Sequence, residues 1–392
     1  MYKSIVHVDL DTFFVSCERL KNSALEGVPL LIGGTSDRGV VASCSYEARR
    51  YGVHSAMPMR MAMELCPHAT VIRGDMDLYS YYSKLTTEIL QEQAPVLEKS
   101  SIDEFYIDIT GLDRFFGCFQ WTKELVQKVK KETGLPLSFG LSINKTVSKI
   151  ATGEGKPLGQ KWINSGTEKS FLAPLSVKKI PMVGPKTGKL LSQMGVKTIK
   201  TVQDIPIELM ENVLGKAGTS IWYKAQGVDK NPVVPYSERK SISKERTFDK
   251  DTIDVYHLRT LLVSFTTQLA FQLRQESQLT ACVAVKIRYS NFDTHTQQAR
   301  ISYTAMDHIL IPKVLELFEK LYNRRMLIRL IGVKMSHLVH GNYQIDLFND
   351  TEKIIHLNQA MDKVNNKYDS FCLLYTSPSP RDDISSRMPS SA

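Results

Sequence analysis

Two short apolar segments set carboxylates where burial penalises them most. The first, IVHVDL at residues 5–10, is rich in β-branched residues and reads as a buried strand closing on Asp9, with Asp11 two residues on. The second, KSSIDEFYIDI, sets Asp103 and Glu104 beside or within another strand. A carboxylate at a strand end among apolar neighbours is costly unless something positive compensates it. No Lys or Arg is adjacent in sequence to Asp9 or to the Asp103–Glu104 pair. Hard oxygen ligands suit Mg²⁺, so a divalent metal is a natural partner, and solvated acids at strand ends are the alternative. Adjacent strand residues point to opposite faces, so Asp103 and Glu104 can share one ion only where the strand begins or bulges. Ser100 and Ser101 can supply that turn.

The surrounding pattern alternates strand and helix. Strands are expected at 28–34, 39–44, 96–101, 104–109 and 136–142. Helices are expected at 12–20, 77–93, 118–132 and 144–151, with a further one starting at 46–51 and capped by Ser43 or Ser45. This order indicates an α/β or α+β domain. Residues 167–230 read as short helices broken by Pro and Gly. The stretch NPVVPYSERK at 231–240 reads as a linker, because its two prolines resist regular structure. Beyond it, KSISKERTF opens a third region with helix 256–275, strands 281–290 and 296–304, helix 308–322 and strand 327–337. That βαββαβ-like order suggests a separate small α+β domain. At about 100–200 residues per domain, the 392-residue chain accommodates several such bodies. No run of about 18 apolar residues occurs, so no membrane span is expected. The six cysteines include no CxxC pair, which points away from zinc and fits a reducing cytosol. The N-terminus lacks a signal-peptide pattern, so a cytoplasmic location is expected.

Charge is unevenly placed. Residues 1–165 hold 19 Lys/Arg and 19 Asp/Glu, whereas residues 166–371 hold 29 and 20. A basic back portion suggests a polyanion partner, with a merely soluble basic surface as the alternative. In the front portion, Tyr46 and Arg49 share one face of the expected helix, where an Arg can grip phosphate oxygens. Lys156 is a lone cation in the Gly-rich TGEGKPLGQ. Each can equally be a surface group, and GEGK lacks the spacing and following Ser/Thr of a P-loop.

Four motifs in order carry a family resemblance: VDLDTFFVSCE, ASCSYEARRYGV, SSIDEFYIDI and GLSINKTVSKIA followed by GKPLG. Together they resemble the Y-family, or translesion, DNA polymerases, nearest the UmuC-type bacterial branch, over roughly residues 3–350. The resemblance implies an α+β multidomain right-hand polymerase. Its palm, with a ferredoxin-like sheet, would comprise residues 1–27 and 77–166, and its small fingers 28–76. A helical, helix-hairpin-helix thumb would span 167–232 and an α+β little finger 233–342. Asp9, Asp103 and Glu104 would be the catalytic metal ligands, with the Leu10 carbonyl as a backbone ligand, for two Mg²⁺ ions. Ser43, Tyr46, Arg49 and Lys156 would contact the triphosphate of a dNTP, with the backbone N–H groups of Phe13 and Phe14. Phe14 would be the steric gate that excludes ribonucleotides, although a core Phe is the plainer reading of that residue alone. Asp11 would support the site rather than ligate.

The basic portion fits the same resemblance. IPMVGPKTGKLLSQMGVKTIKT resembles a helix-hairpin-helix, presenting backbone amides near Gly184 with Lys186 and Lys189 to a DNA phosphate. SISKERTF matches the little finger's opening segment, where Ser243, Lys244 and Arg246 would follow the template backbone. Lys286 and Arg288 alternate on one strand and so share a face, with Arg300 on the next strand. YQIDLFN at 343–349 resembles the bacterial sliding-clamp-binding peptide, with Gln344, Leu347 and Phe348 as its anchors. The expected partners are primer-template DNA, dNTP and the sliding clamp; no membrane is expected, and the catalytic chain is expected to be monomeric. Residues 372–392 (CLLYTSPSPRD onward) look like translated sequencing-adapter read-through, with a native Ser/Pro-rich tail as the rival. Three other functions compete: a nucleotide cyclase on a related palm, a non-catalytic damaged-DNA-binding relative, and a helix-hairpin-helix nuclease.

Overall fold

The computed structural model describes residues 3–36, 38–112, 117–235, 238–341 and 351–368. The chain divides into two units, residues 1–237 and 238–392.

In the first unit, β1 (Ile5–Leu10) is buried along nearly its whole length, as its apolar run predicts. It is followed by α1 (Phe13–Lys21), β2 (Leu30–Gly33), β3 (Val41–Cys44) and α2 (Tyr46–Arg49). Ser45, not Ser43, caps α2 by accepting from the Ala48 amide. Helix α3 (Met59–Leu65) and strand β4 (Thr70–Ile72), neither expected from the pattern, complete a small sheet in the order β3-β2-β4. Then come α4 (Met76–Gln93), β5 (Val96–Lys99), β6 (Glu104–Asp108), α5 (Cys118–Thr133), β7 (Leu137–Ser142), α6 (Lys145–Gly155) and the short β8 (Gln160–Trp162). These strands form one sheet in the order β5-β6-β1-β7-β8, with β1 antiparallel to both neighbours.

Helices α1, α4 and α5 pack their apolar stripes on the sheet in a core containing Val8, Phe13, Tyr79, Leu90, Val129 and Phe139. Helix α6 packs on β1 and β7, where His7 Nδ1 and Thr152 Oγ1 lie 3.0 Å apart. Gly140 on β7 permits this approach: a Cβ there would lie 2.3 Å from the Ser148 carbonyl oxygen. The unit ends in short helices α7 (Glu168–Leu172), α8 (Pro185–Gln193), α9 (Ile199–Asp204), α10 (Ile207–Leu214) and α11 (Lys216–Ala225). Their core includes Val147, Ile150 and Ala151 from α6, so the helical segment is built onto the sheet. The segment expected to be an open linker is partly docked. Val233 is buried against Ile5 and Tyr106, and the Val234 amide donates to Glu98 at 2.7 Å.

The second unit runs β9 (Ser241–Thr252), α12 (Val255–Gln275), β10 (Gln278–Tyr289), β11 (Thr294–Thr304), α13 (Asp307–Leu321) and β12 (Ile328–His340). This is the βαββαβ order read from the sequence, in a sheet ordered β11-β10-β12-β9. Alternate residues such as Val283, Val285, Ile331 and Val333 pack against α12 and α13. A further helix, α14 (Thr351–Tyr368), was not anticipated. Among its described side chains the buried ones are polar: Asn358, Asp362 and Asn365. Asp362 accepts two hydrogen bonds from Arg274 of α12, at 2.7 and 2.8 Å.

Candidate active site

The hairpin between β5 and β6 and the end of the central strand β1 meet at one end of the first unit's sheet. Asp9 is in register with Glu104 across the β1–β6 pair. Strand β6 begins at Glu104, so Asp103 lies in the turn, and its carbonyl accepts from the Leu10 amide at 3.0 Å. Ser101 builds that turn. Its hydroxyl donates to Asp103 Oδ1 at 2.6 Å and accepts from the Glu104 amide at 3.0 Å.

The two lysines nearest these acids come from far along the chain. Lys156 Nζ donates to Asp9 Oδ1 at 2.5 Å and lies 3.7 Å from Asp11. Lys149 Nζ donates to Glu104 Oε2 at 2.5 Å. Sequence adjacency therefore misled: positive partners do exist, and both are carried on or just after α6. Burial lifts the Asp9 carboxyl to about 7; the Lys156 ammonium opposes this, and the negative charges of Glu104 and Asp103 add to it. Among the described residues, no three His, Cys, Asp or Glu side chains converge closely enough to hold a metal ion. The donor chemistry still suits a hard divalent cation, since Asp9, Asp103 and the Leu10 backbone line one cavity with oxygen donors. An ion entering there would displace ammonium groups that already mark the position of positive charge.

That cavity, of about 140 Å³, is also lined by Phe13, Phe14, Ser43, Arg49 and Lys156. Phe14 is half-buried and stacked on Tyr79, ring centroids 4.2 Å apart at 11°. Thr12, just before α1, adopts a left-handed conformation (φ 43°), so α1 starts abruptly at Phe13. The first amides of a helix have no intrahelical acceptor, which leaves those of Phe13 and Phe14 available to an anion. Arg49 is exposed, donates to the Cys44 carbonyl at 3.3 Å, and lies 5.4 Å from the centre of the Tyr46 ring. The Tyr46 hydroxyl points to Asp11 at 3.5 Å; burial and then the Asp11 charge raise its pKa, so it remains a proton donor.

Asp11 turns out to be the organising residue. It is buried and accepts from Ser138 Oγ at 2.8 Å and the Leu158 amide at 2.7 Å. It thereby ties β1, β7 and the loop carrying Lys156 together. Ser138, Leu158 and Lys149 carried no sequence signal of their roles, whereas Ser101 builds the turn expected of it. Asp11 was expected to support the site, and its partners Ser138 and Leu158 show how it does so.

The expected DNA contacts fall in two places. In the first unit, a single 3₁₀ turn (Val177–Lys179), rather than a full helix, precedes the hairpin. Gly184 is the N-cap of α8, and Lys186 and Lys189 stand exposed. In the second unit, strand register separates the expected set. Ser243 pairs with Lys334, which pairs with Ala284, on the sheet face opposite the helices. Lys286, Arg288 and Arg300 share that open face. Lys244 and Arg246 lie opposite Val333 and Ile331, both core residues, and so project from the other face. Lys244 hydrogen-bonds Gln268 of α12 there. Lys286 is engaged by both oxygens of Glu245 at 3.0 Å. Lys334 belongs to the open face and was missed, because only strand pairing reveals it. Gln344, Leu347 and Phe348 lie outside the described residues, as does the segment 372–392.

Residues 8–153 match the impB/mucB/samB family and residues 239–347 its C-terminal domain. Residues 178–229 match a family described as the DNA polymerase-iota thumb domain. A DNA polymerase IV of Dehalococcoides mccartyi is 34% identical over 370 residues, covering 93% of this chain and 95% of that relative. One from Treponema denticola is 35% identical over 338 residues, covering 86% of each. Among solved structures, a chimeric Y-family DNA polymerase superposes with a TM-score of 0.76 at 24% identity, covering 86% of this chain and 100% of its own. DinB from Sulfolobus solfataricus matches over the same shares with a TM-score of 0.61, also at 24% identity. With these family matches and about a third of its residues identical to nearly full-length relatives, this chain belongs to the Y-family of translesion DNA polymerases and is a DNA-directed DNA polymerase.

Proposed function

We propose that the protein extends a primer 3′ hydroxyl with a dNTP at low fidelity, in DNA damage tolerance, by a two-Mg²⁺ mechanism. Family membership implies divalent metal use in general. The identity and number of ions are part of the proposal. Asp9, Asp103, Glu104 and the Leu10 carbonyl would hold them. When bound, such ions lower the pKa of the attacking hydroxyl and neutralise charge on the transferring phosphoryl group.

The chain's own residues do the rest. Arg49, Lys156, Ser43, the Tyr46 hydroxyl and the Phe13 and Phe14 amides bind and orient the triphosphate. Lys156 must leave Asp9 to do so. Phe14, braced by Tyr79, sets the sugar against an aromatic wall and excludes a 2′ hydroxyl. Asp11 holds β1 and the Lys156 loop in place. On this reading the palm is 1–27 and 77–166, the fingers 28–76, the thumb 167–232 and the little finger 233–342. The thumb grips phosphate through Gly184, Lys186 and Lys189. The little finger does so through Ser243, Lys286, Arg288 and Arg300, with Lys244 and Arg246 at its edge. Gln344, Leu347 and Phe348 would bind the sliding clamp. A monomeric, cytoplasmic catalytic chain completes the proposal.

The observation that carries this reading is one cavity shared by Asp9, Asp103, Phe14, Ser43, Arg49 and Lys156. Primer extension on damaged and undamaged templates tests it. Asp103→Ala with Glu104→Ala should abolish synthesis while DNA binding persists; continued synthesis would refute the ligand assignment. Phe14→Ala should admit ribonucleotides, and unchanged sugar discrimination counts against the gate. DNA binding with no incorporation by the parent protein would favour a non-catalytic role.

A further inference from the structure

The turn that opens α8 contains a residue its geometry disfavours. The Val183 amide donates to the Ile180 carbonyl at 3.0 Å, closing a four-residue turn. Pro181 occupies its second position and Met182 its third, with φ 82°. A turn with Pro second and a left-handed residue third is the pattern that calls for Gly or Asn in third place. A long side chain there strains the backbone, because its Cβ crowds the following carbonyl. Strain of this kind persists where the surroundings impose it and is concentrated at functional sites.

Met182 contributes nothing to the core that would account for its presence. Met182 is 73% exposed, among the most exposed large apolar residues described. Its neighbour Val183 is buried and anchors the turn. The Pro181 carbonyl accepts from Lys224 at 3.4 Å, which holds the tip toward α11. Around this apolar tip the surface is cationic: Lys186 and Lys189 are exposed on α8, and the α8 N-terminus directs free amides past Gly184. A lone apolar side chain in a cationic setting suits an occupant that offers anionic oxygens beside apolar faces. A DNA strand does so, with phosphates for the lysines and amides and deoxyribose for a thioether chain.

We propose that Met182 is a DNA-contact residue, packing on a deoxyribose of the strand whose phosphate the adjacent amides and lysines bind. This rests on the reading of the hairpin as a phosphate grip. It adds a component of binding that is apolar and therefore insensitive to salt.

The test uses the full-length protein and fluorescent primer-template DNA, titrated at several salt concentrations, with thermal melting alongside. Met182→Gly removes both the strain and the contact. It should raise the melting temperature by about 2–4 °C while weakening DNA binding by about tenfold, with the salt slope unchanged. Met182→Ala keeps the strain and should lose the same affinity without the thermal gain. Met182→Leu should bind within about threefold of the parent. Parental affinity in the Gly or Ala variant overturns the proposal, as does a loss in the Leu variant equal to that in Ala. Lys186→Ala with Lys189→Ala separates this from the underlying reading. If that pair leaves affinity and salt slope intact, the phosphate grip itself fails. If the pair weakens binding and Met182→Gly does not, only the Met182 contact fails.

Discussion

At the scale of single residues, the site is a balance between burial and a few borrowed charges. Asp9 is where that balance is closest. Burial alone drives its carboxyl toward the neutral form, Lys156 at 2.5 Å pulls it back, and Glu104 and Asp103 push it up again, leaving it at about 7. In the unfolded chain an aspartate titrates near 3.8. A folded-state pKa above the unfolded one means that the folded form holds its proton more tightly. Its contribution to stability is therefore fully present below about pH 4 and is lost as pH rises to about 7. Metal-free protein should thus lose stability across that window in denaturant titrations at stepped pH. Asp9→Asn, which cannot ionise, should flatten the difference. Added Mg²⁺ should restore stability to the parent above pH 7 and do less for the variant. A parent and variant with parallel pH profiles would show that Asp9 is already ionised throughout. These residue-level features were only partly legible in the sequence. Asp9, Asp103 and Glu104 stood out because acids rarely sit in apolar strands. Lys156 stood out only as a lone cation in a Gly-rich loop and Lys149 not at all, and their pairing with Asp9 and Glu104 was hidden by separations of 147 and 45 residues.

Elements were most legible where one period dominated. Strand β1, helices α4, α5 and α12 and the βαββαβ order of the second unit all follow from apolar spacing, because each buries one continuous face. Three kinds of feature escaped. Strands β4 and β8 are three residues long, too short for alternation to register. Lys244 and Arg246 were grouped with Ser243, yet neighbouring strand residues face opposite ways, and only pairing with β12 shows which way each goes. The described side chains that α14 buries are Asn358, Asp362 and Asn365, which a hydrophobic scan passes over. The anchor of α14 is Arg274, only 7% exposed, which also meets Asp307 and the Ala305 carbonyl. Arg274→Met should strand Asp307 and Asp362 as unpaired, nearly buried carboxylates. Breaking such a pair from one side costs about 3–5 kcal/mol. Hydrogen exchange should then show α14 released while the β10–β12 ladder stays protected. Unchanged exchange in α14 would mean that the rest of the helix face holds it without the ion pair.

Over the whole molecule, charge is divided by task. Residues 1–165 are balanced, with the acids of the site and the lysines paired to Asp9 and Glu104 among them. The excess lies further on: residues 166–235 hold 10 basic and 5 acidic residues, and residues 236–342 hold 16 and 10. In the second unit that excess has a direction. Lys286, Arg288, Arg300 and Lys334 occupy the sheet face away from the helices, with Glu245 the acid paired to Lys286 there. Cations on a face that serves no core are free to replace the counterions of a DNA backbone. Each phosphate so neutralised contributes about 0.9 to the slope of log affinity against log salt. Replacing Arg288, Arg300 and Lys334 with Gln should therefore reduce that slope by up to about three. It should weaken binding to all sequences alike and leave the extension rate at saturating DNA unchanged. Glu245→Gln should act in the opposite sense, because Lys286 would be released from its partner to meet a phosphate. If the triple variant instead lowers the extension rate at saturating DNA with no change in slope, the open face governs alignment at the catalytic cavity rather than grip. The division of charge would then describe solubility alone.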